Sequence, residues 1–221
     1  MNNKEQVINQ SVFYGNDIGI DILNDRDKVK QRVVYKLINP KNNEKLLEEV
    51  PHRLILDLAQ IYQIYLDGSL LTGKVTIKYD NLEYFGLDES ELAELAAINT
   101  PRLLKANIEY MGDMLLRMTG VDMLEEGSPN MVVVSNEKYL DGAAAMLYPD
   151  TVRGVFDLIG DFYVLPSSVH ECICVPKGKD GDPQALRELV SFVNRTEVAE
   201  NEVLSDNIYE FRDGKLAECA V

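Results

Sequence analysis

The sequence is poor in the residues that build metal centres and disulfide frameworks. Its 221 residues include three cysteines, two histidines and no tryptophan. Cys172, Cys174 and Cys219 have neither zinc-ligand spacing nor the density of a disulfide scaffold, which excludes small zinc-ribbon and disulfide-rich secreted domains. We expect a reducing, cytoplasmic environment. Two small buried hydrophobic residues are favoured over a vicinal redox pair for Cys172 and Cys174.

Long apolar runs and positive charge are also scarce. The most apolar segment, residues 54–66, is interrupted by Asp57, Gln60 and Gln63, whereas a spanning helix needs about 20 apolar residues. The polar first residues are followed by no apolar stretch, so no secretory signal is expected. The chain has 22 Lys and Arg against 37 Asp and Glu, a net charge of -15. Because this charge repels phosphates and anionic lipids, we expect no direct nucleic-acid or membrane partner, while a basic protein partner remains open, as does the oligomeric state.

The residues that are present predict an α+β fold. A composition of 46% hydrophobic and 27% charged residues is that of a globular protein. The turn-rich residues 125–130 predict a boundary between a mixed α/β amino-terminal lobe, residues 1–126, and an α+β carboxy-terminal lobe, residues 131–221, with one compact domain as the alternative. From Met131 onward the predicted order is strand, helix, strand, strand, helix and hairpin. This order indicates a largely antiparallel sheet covered by helices.

Local patterns predict the individual elements. In the amino-terminal part, Gly15-Asn16 indicates a hairpin and residues 73–79 alternate like a half-exposed strand. Asp88 is a candidate helix cap, and Thr100-Pro101 is expected to interrupt the helix that follows. Helical spacing predicts helices over residues 25–38, 42–49, 54–66, 88–98 and 103–118, although Arg32-Val33-Val34-Tyr35 in the first of these is also typical of a strand. In the carboxy-terminal part we expect strands over 131–134, 162–165 and 172–175, a helix over 142–159 with a break at Pro149, a helix over 183–194 capped by Asp182, and a hairpin at Asp213-Gly214.

One cluster combines a nucleophile, a base and a carboxylate. Ser167, Ser168, His170 and Glu171 follow Pro166 between two predicted strands, and serine hydrolysis needs a hydroxyl within about 3 Å of an imidazole. In an extended chain Ser168 and His170 face one side and Glu171 the other, which is poor geometry for a triad. The favoured alternative is structural: the hydroxyls satisfy backbone groups of a turn, and His170 pairs with a carboxylate.

Other residues are candidates for binding. Asn99 and Thr100 suit the capping of a following helix, and Arg102 could bind a carboxylate. Tyr148 follows the small residues 142–145 and is expected in close helix packing, with a position at a pocket rim as the alternative, and Pro166 is expected in a turn that contacts a partner. His52 and His170, with Asp57 as third ligand, form a weaker metal-site alternative. No glycine-rich phosphate loop is present, and we predict neither a cofactor nor a resident metal.

Several ordered sequence blocks run through most of the chain. They are Tyr35-Lys-Leu-Ile-Asn39, Val50-Pro-His52 with Leu56-Asp-Leu58, Asn99-Thr-Pro-Arg-Leu103, Gly142-Ala-Ala-Ala-Met-Leu-Tyr-Pro149, Asp161-Phe-Tyr-Val-Leu-Pro-Ser-Ser-Val-His-Glu171, Val193-Asn-Arg-Thr-Glu-Val198 and Leu204-Ser-Asp206. Together these blocks resemble an uncharacterised bacterial family, domain of unknown function 5688. The resemblance implies a cytoplasmic bacterial protein, commonly from anaerobic gut bacteria, and brings no assigned reaction, cofactor or partner. It also implies that family members commonly carry an additional amino-terminal segment.

Three functional hypotheses follow. The first is a non-catalytic interaction or accessory protein whose acidic surface and whose turn at residues 166–171 contact a partner. Acidic residues are concentrated at 88–126 and 197–218, although such runs are usually solvated faces. The second is a hydrolase with Ser167 or Ser168 as nucleophile, His170 as base and Glu171 or a distant acid as orienting group. The third is a metal-dependent enzyme. We expect the first.

Overall fold

The structure is a computed structural model that describes residues 22–67, 72–122, 130–178 and 182–219. These residues form helices and two antiparallel sheets, one of four strands and one of six, so the predicted α+β class is confirmed. The predicted hairpin at Gly15-Asn16 and residues 125–129 of the predicted boundary loop lie outside the described residues. In the part that is described, no helix is long and apolar enough to cross a membrane.

The first sheet contains four strands, and the longest of them lies at its centre. Strand β3 (Leu58–Asp67) pairs with β1 (Val33–Ile38), β2 (His52–Ile55) and β4 (Thr72–Thr76). Helix α1 (Arg26–Lys30) precedes β1, and a 3-10 turn (Lys41–Asn43) runs into α2 (Glu44–Leu47), where a short helix was predicted. The strand predicted at 73–79 is confirmed as β4, although helix α3 (Tyr79–Phe85) begins at its predicted end.

Of two helices predicted in this half, one is wrong and the other is partly right. Residues 54–66 form the end of β2, a turn and most of β3, whereas the helix predicted over 25–38 is α1 in its first part and β1 from Val33 onward. Every residue from Leu58 to Leu66 is buried. A strand covered on both faces has a continuous apolar run, which fits helical spacing as well as it fits a strand. The prediction of a fully buried element was right. The element is a strand and not a helix, because its backbone pairs with that of β1.

The next helix is longer than predicted. Helix α4 (Glu89–Leu103) begins after Asp88, whose carboxylate accepts a hydrogen bond from the Glu91 N–H at 2.8 Å, so the predicted cap is confirmed. Pro101 does not interrupt it. Proline leaves the carbonyl four residues earlier without a donor, and here that residue is Ala97, which lies on the exposed side of the helix.

The helix predicted over 103–118 is also partly wrong. Its first half is strand β5 (Ala106–Tyr110), and only the second half is helical, as α5 (Met111–Thr119). β5 pairs with β6 (Val132–Asn136) over five residue pairs. A strand from the amino-terminal side of the predicted lobe boundary thus belongs to the carboxy-terminal sheet. The division into two lobes stays a prediction.

The second sheet follows the predicted order of elements. Its strand order is β10-β9-β7-β8-β6-β5, with β7 (Phe162–Ser168), β8 (Glu171–Pro176), β9 (Tyr209–Arg212) and β10 (Lys215–Glu218). Pro149 separates a 3-10 helix (Gly142–Leu147) from α6 (Thr151–Ile159). Asp182 caps α7 (Pro183–Thr196), as predicted. Asp213 and Gly214 both have positive φ, as a two-residue hairpin turn of type I′ requires.

The 3-10 helix packs between the two sheets. Ala143, Ala144 and Ala145 are buried, and their small side chains let the helix approach both sheets. Gly142 is closer still: a Cβ there would lie 2.5 Å from the carbonyl oxygen of His170 and 2.7 Å from the backbone nitrogen of Asn136. Only glycine fits between these two backbones.

We therefore expect Gly142→Ala to lower the free energy of unfolding by about 1–3 kcal/mol, since rigid backbone must move to admit the methyl group. Urea denaturation measures the change. The matched control is Gly73→Ala, because no atom lies within 4 Å of a Cβ placed at Gly73. Equal losses of stability in the two variants would contradict this account of the packing.

Candidate functional site

The predicted six-residue connector between β7 and β8 is mostly strand. β7 continues to Ser168 and β8 begins at Glu171, so only Val169 and His170 form the turn. The register shifts between Leu165 and Ser168, which places Pro166 in a bulge of β7. A bulge tolerates proline because the missing N–H is not needed for the ladder. Pro166 is buried there, so it shapes the turn from within.

Ser168 and His170 both bond to groups other than each other's side chain. The Ser168 hydroxyl accepts a hydrogen bond from the backbone N–H of His170 at 3.0 Å. The His170 ring accepts one at Nδ1 from the backbone N–H of Asp141 at 3.1 Å, and its Nε2 lies 3.5 Å from a carboxylate oxygen of Glu202. An accepting Nδ1 places the proton of the neutral ring on Nε2, which faces Glu202. Neither ring nitrogen is directed at the serine hydroxyl as a general base.

The backbone N–H that donates to His170 belongs to a strained loop, residues 137–141, which connects β6 to the 3-10 helix. Tyr139 and Asp141 have positive φ angles of 51° and 54°, which non-glycine residues rarely adopt. The Asp141 carboxylate lies 2.8 Å from the ammonium group of Lys74 and 3.4 Å from that of Lys36. Burial raises the pKa of Asp141, but the two ammonium groups outweigh it and hold this pKa below its usual value. The loop is therefore fixed by a charged, largely buried cluster.

Four side chains meet beside this loop in a second polar cluster. Tyr139 donates its hydroxyl hydrogen to Glu109 Oε1 at 2.6 Å, and Asn107 donates to the same oxygen at 2.9 Å. Arg117 donates to both Glu109 oxygens at 2.9 and 3.0 Å, and its guanidinium carbon lies 5.5 Å from the centre of the Tyr139 ring. Burial raises the pKa of Glu109, and the hydrogen bonds from Tyr139 and Arg117 lower it further than burial raises it.

Sequence reasoning missed this cluster. Residues 103–118 were predicted as one helix, on which Asn107 and Glu109 would point in different directions. In a strand, residues two apart share a face. The alternation of polar residues at 107 and 109 was the available signal, but helical spacing of the methionines that follow obscured it.

A cleft of about 510 Å³ opens between α5, the strained loop and the β7–β8 turn. All four predicted catalytic residues contribute to its lining, together with two methionines, an arginine and further carboxylates. The lining residues are Met114, Arg117, Met118, Tyr139, Ser167, Ser168, His170, Glu171, Glu197, Val198 and Glu202. The predicted cluster therefore lies at an open cleft, although its serines and histidine are not arranged as nucleophile and base.

The predicted binding residues at the end of α4 make internal contacts. The Asn99 side chain donates to the Lys30 carbonyl at 2.8 Å and accepts from Arg102 at 2.9 Å. Arg102 also donates to the Gln31 carbonyl at 2.7 Å, so both of these partners are neutral oxygens. Asn99 lies inside α4 instead of capping a new helix. These contacts hold α4 against the connection from α1 to β1.

Tyr148 is buried, which agrees with the favoured packing role and not with the alternative position at a pocket rim. Its hydroxyl donates to the Leu104 carbonyl at 3.0 Å, and its ring meets Tyr35 edge to face with centroids 6.3 Å apart. Burial raises the pKa of both phenols. Tyr148 joins the 3-10 helix to the end of α4.

The residues of the metal hypothesis do not converge. His52 lies in β2, with its Nδ1 3.0 Å from the Val50 carbonyl. The Asp57 carboxylate accepts hydrogen bonds from Ser205, Asn207 and Tyr209. Within residues 22–67, 72–122, 130–178 and 182–219, no three His, Cys, Asp or Glu side chains are grouped to hold a metal ion.

The cysteines are free thiols. Cys172 and Cys174 are buried in β8, and Cys219 is half-buried. Burial raises the pKa of the Cys172 thiol to about 12 and that of Cys174 well above its ordinary value. At neutral pH these two thiols stay protonated, and the thiol form is a poor nucleophile.

A family model for a family of unknown function, DUF5688, matches residues 5–213. This chain belongs to DUF5688. The family resemblance predicted from the ordered sequence blocks is thereby confirmed. Neither the curated proteins nor the solved structures contain a significant match.

Hydrogen bonding at the cleft of this DUF5688 protein predicts how it responds to a serine-directed reagent. An activated-serine reagent such as a fluorophosphonate should leave the protein unlabelled, because the Ser168 hydroxyl faces a backbone N–H and no ring nitrogen. Intact-protein mass spectrometry measures the adduct. Stoichiometric labelling that disappears in Ser168→Ala would contradict the geometry described here.

The Glu109 cluster predicts a pH-dependent stability. Since the pKa of folded Glu109 lies below its ordinary value of 4.5, its ionised form contributes stability above the unfolded pKa, and this contribution is lost as pH falls through the folded value. Glu109→Gln should therefore destabilise the protein at about pH 7 and much less at about pH 3. Urea denaturation at both pH values measures the difference.

Glu94→Gln is the matched control, since Glu94 is an exposed carboxylate on α4 outside the cluster. If Glu109→Gln lowered the free energy of unfolding equally at both pH values, ionisation of Glu109 would not contribute to stability.

Proposed function

We propose that this DUF5688 protein is a non-catalytic cytoplasmic binding protein and that the cleft beside His170 receives a basic side chain of a partner protein. One observation carries the proposal: Glu171, Glu197 and Glu202 line one cleft together with two methionines. This deepens the hypothesis of an acidic interaction protein that the sequence favoured.

The charges in the cleft are not balanced from within. Within the described part of the chain, the carboxylates of Glu171 and Glu197 make no hydrogen bond or salt bridge. Arg117 is the cation of the lining, and it is already paired with Glu109. Like charges that share a cleft repel one another, and an entering cation relieves this repulsion. A lysine or arginine side chain supplies such a cation.

The apolar lining suits the same kind of ligand. Met118 is 66% exposed, and with Met114 it forms one wall of the cleft. Lysine and arginine carry aliphatic stems that pack on apolar surface while their charged ends stay in a polar environment. Methionine adapts its shape to the group that packs against it. Carboxylates beside methionines therefore match both parts of a basic side chain.

The charge of the whole chain favours the same partner at longer range. A net charge of -15 attracts basic proteins and speeds their encounter, an effect that salt weakens. The hydrogen bonds of Ser168 and His170 argue against the hydrolase alternative. Three free cysteines, two of them buried, are consistent with the reducing cytoplasm that the proposal includes.

Titration of a fluorescein-labelled oligolysine peptide, followed by fluorescence anisotropy, tests the proposal. We expect binding that weakens with added salt, and a loss of about tenfold in affinity for the double variant Glu171→Gln with Glu197→Gln, since two cation contacts are removed. Neither residue has an internal partner among the described residues, so the fold should be preserved, which circular dichroism checks.

The control is the double variant Glu48→Gln with Glu94→Gln. It removes the same charge from exposed positions outside the cleft and should retain most of the affinity. Equal weakening in both double variants would mean that the peptide senses only the net charge, and the proposed cleft would be wrong.

A further inference from the structure

We propose that a second, polar cleft on this protein binds a small phosphorylated compound that also carries hydroxyl groups. The cleft has a volume of about 470 Å³ and lies where α7 meets the turn after β1 and the segment before β9. This volume falls in the range of small-molecule sites. The inference does not depend on the basic-peptide site, because the two clefts share no lining residue.

The balance of charge in this cleft is the reverse of that in the chain. Lys41, Arg187 and Arg195 contribute three cations, against the two carboxylates of Asp57 and Asp206. The whole chain has 22 basic against 37 acidic residues. A cleft with a cationic surplus on so acidic a protein is a local departure from the surrounding field, and it favours an anionic ligand.

The carboxylate of Asp57 is occupied by internal donors. It accepts hydrogen bonds from the Tyr209 hydroxyl at 2.6 Å, the Ser205 hydroxyl at 2.6 Å and the Asn207 amide at 3.0 Å. Three donors stabilise the carboxylate inside the protein and spread its charge. Asp57 thus acts as an anchor of the site and competes little with an anion for the cations around it.

The same anchor positions an arginine. Because the Asn207 amide nitrogen donates to Asp57, its oxygen points the other way and accepts a hydrogen bond from Arg187 at 2.5 Å. A guanidinium group has five N–H donors, so most of those on Arg187 remain for a ligand. Asp57 and Asn207 are positioning residues, and Arg187 is the residue they direct.

Two further cations lie at the same cleft. Arg195 donates one hydrogen bond to Ser191 at 2.8 Å and keeps the rest of its donors. The Lys41 ammonium group makes no hydrogen bond or salt bridge with the residues that the structure describes. Paired guanidinium groups match the oxygens of a phosphate in number and geometry, and a lysine adds a point charge.

Acceptors next to the cations extend the ligand class from a bare anion to a hydroxylated one. Asp206 is exposed and has a carboxylate oxygen that accepts from Asn194, while the side-chain amide of Asn42 donates to the Glu200 carbonyl and leaves its own oxygen as an acceptor. Hydroxyl groups are the donors that such oxygens bind. A sugar phosphate has both parts, phosphate for the cations and hydroxyls for the acceptors.

Isothermal titration calorimetry with the full chain and glucose 6-phosphate tests the inference, with glucose and inorganic phosphate as probes of the two parts. We expect glucose 6-phosphate to bind, inorganic phosphate to bind more weakly and glucose not to bind. Arg187→Gln and Arg195→Gln should each weaken glucose 6-phosphate binding about tenfold, the effect of one lost charge-assisted contact.

Arg153→Gln is the matched control, since Arg153 is an exposed arginine of α6 whose partner, Asp157, lies 3.8 Å away on the same helix. It should leave the affinity unchanged. Absence of binding by glucose 6-phosphate at millimolar concentration, or the same affinity in Arg187→Gln and Arg153→Gln, would overturn the proposal. Equal affinity for inorganic phosphate would overturn the role of the hydroxyl acceptors.

The variant Glu171→Gln with Glu197→Gln separates this inference from the proposed function. It should lose peptide affinity and retain glucose 6-phosphate binding, whereas Arg187→Gln should retain peptide affinity. If either variant lost affinity for both the peptide and glucose 6-phosphate, the fold would be damaged and not one cleft alone.

Discussion

The arrangement of the first cleft depends on the close approach of two backbones at Gly142. The carbonyl of His170 and the backbone nitrogen of Asn136 lie where a side chain at this position would otherwise be. The same carbonyl accepts a hydrogen bond from Ser135 at 2.8 Å, so β6, the 3-10 helix and the β7–β8 turn are held together at one point. Dense packing of this kind has few alternative arrangements, which is why it can hold the strained loop beside it.

Polar groups around the first cleft divide into those satisfied within the protein and those open to a ligand. Asp141 is paired with two lysines and Glu109 with an arginine and a tyrosine, which lowers the pKa of both carboxyls. The Ser168 hydroxyl and the His170 ring likewise form hydrogen bonds with backbone N–H groups. The carboxylates of Glu171 and Glu197, which line the cleft together with two methionines, have no partner among the described residues. Chemistry at this cleft is therefore set by which groups the fold has already paired, and not by the residue types alone.

Sequence patterns predicted the carboxy-terminal half well because each of its elements carries a local signal. Asp182 with Pro183 starts α7, Asp213-Gly214 forms a hairpin turn, and Pro149 separates two helical segments. In the amino-terminal half the signals compete. The run that became β3 is buried at every residue from Leu58 to Leu66, and a fully covered strand cannot be distinguished from a buried helix by periodicity. The strand β5 was missed for a related reason, since its identity depends on pairing with β6, which follows it by more than twenty residues.

The sequence by itself determined the α+β class, the family, the negative net charge and the presence of Ser168, His170 and Glu171 in one short segment, because these follow from composition and from residues close together in the chain. Only the tertiary structure decided what these residues contact. Asp141 lies 29 residues before His170, and Asp57 lies 152 residues before Tyr209, yet each pair is joined by a hydrogen bond. Such contacts arise when sheets and helices pack, and the free energy that selects them comes from the whole core and not from any local pattern.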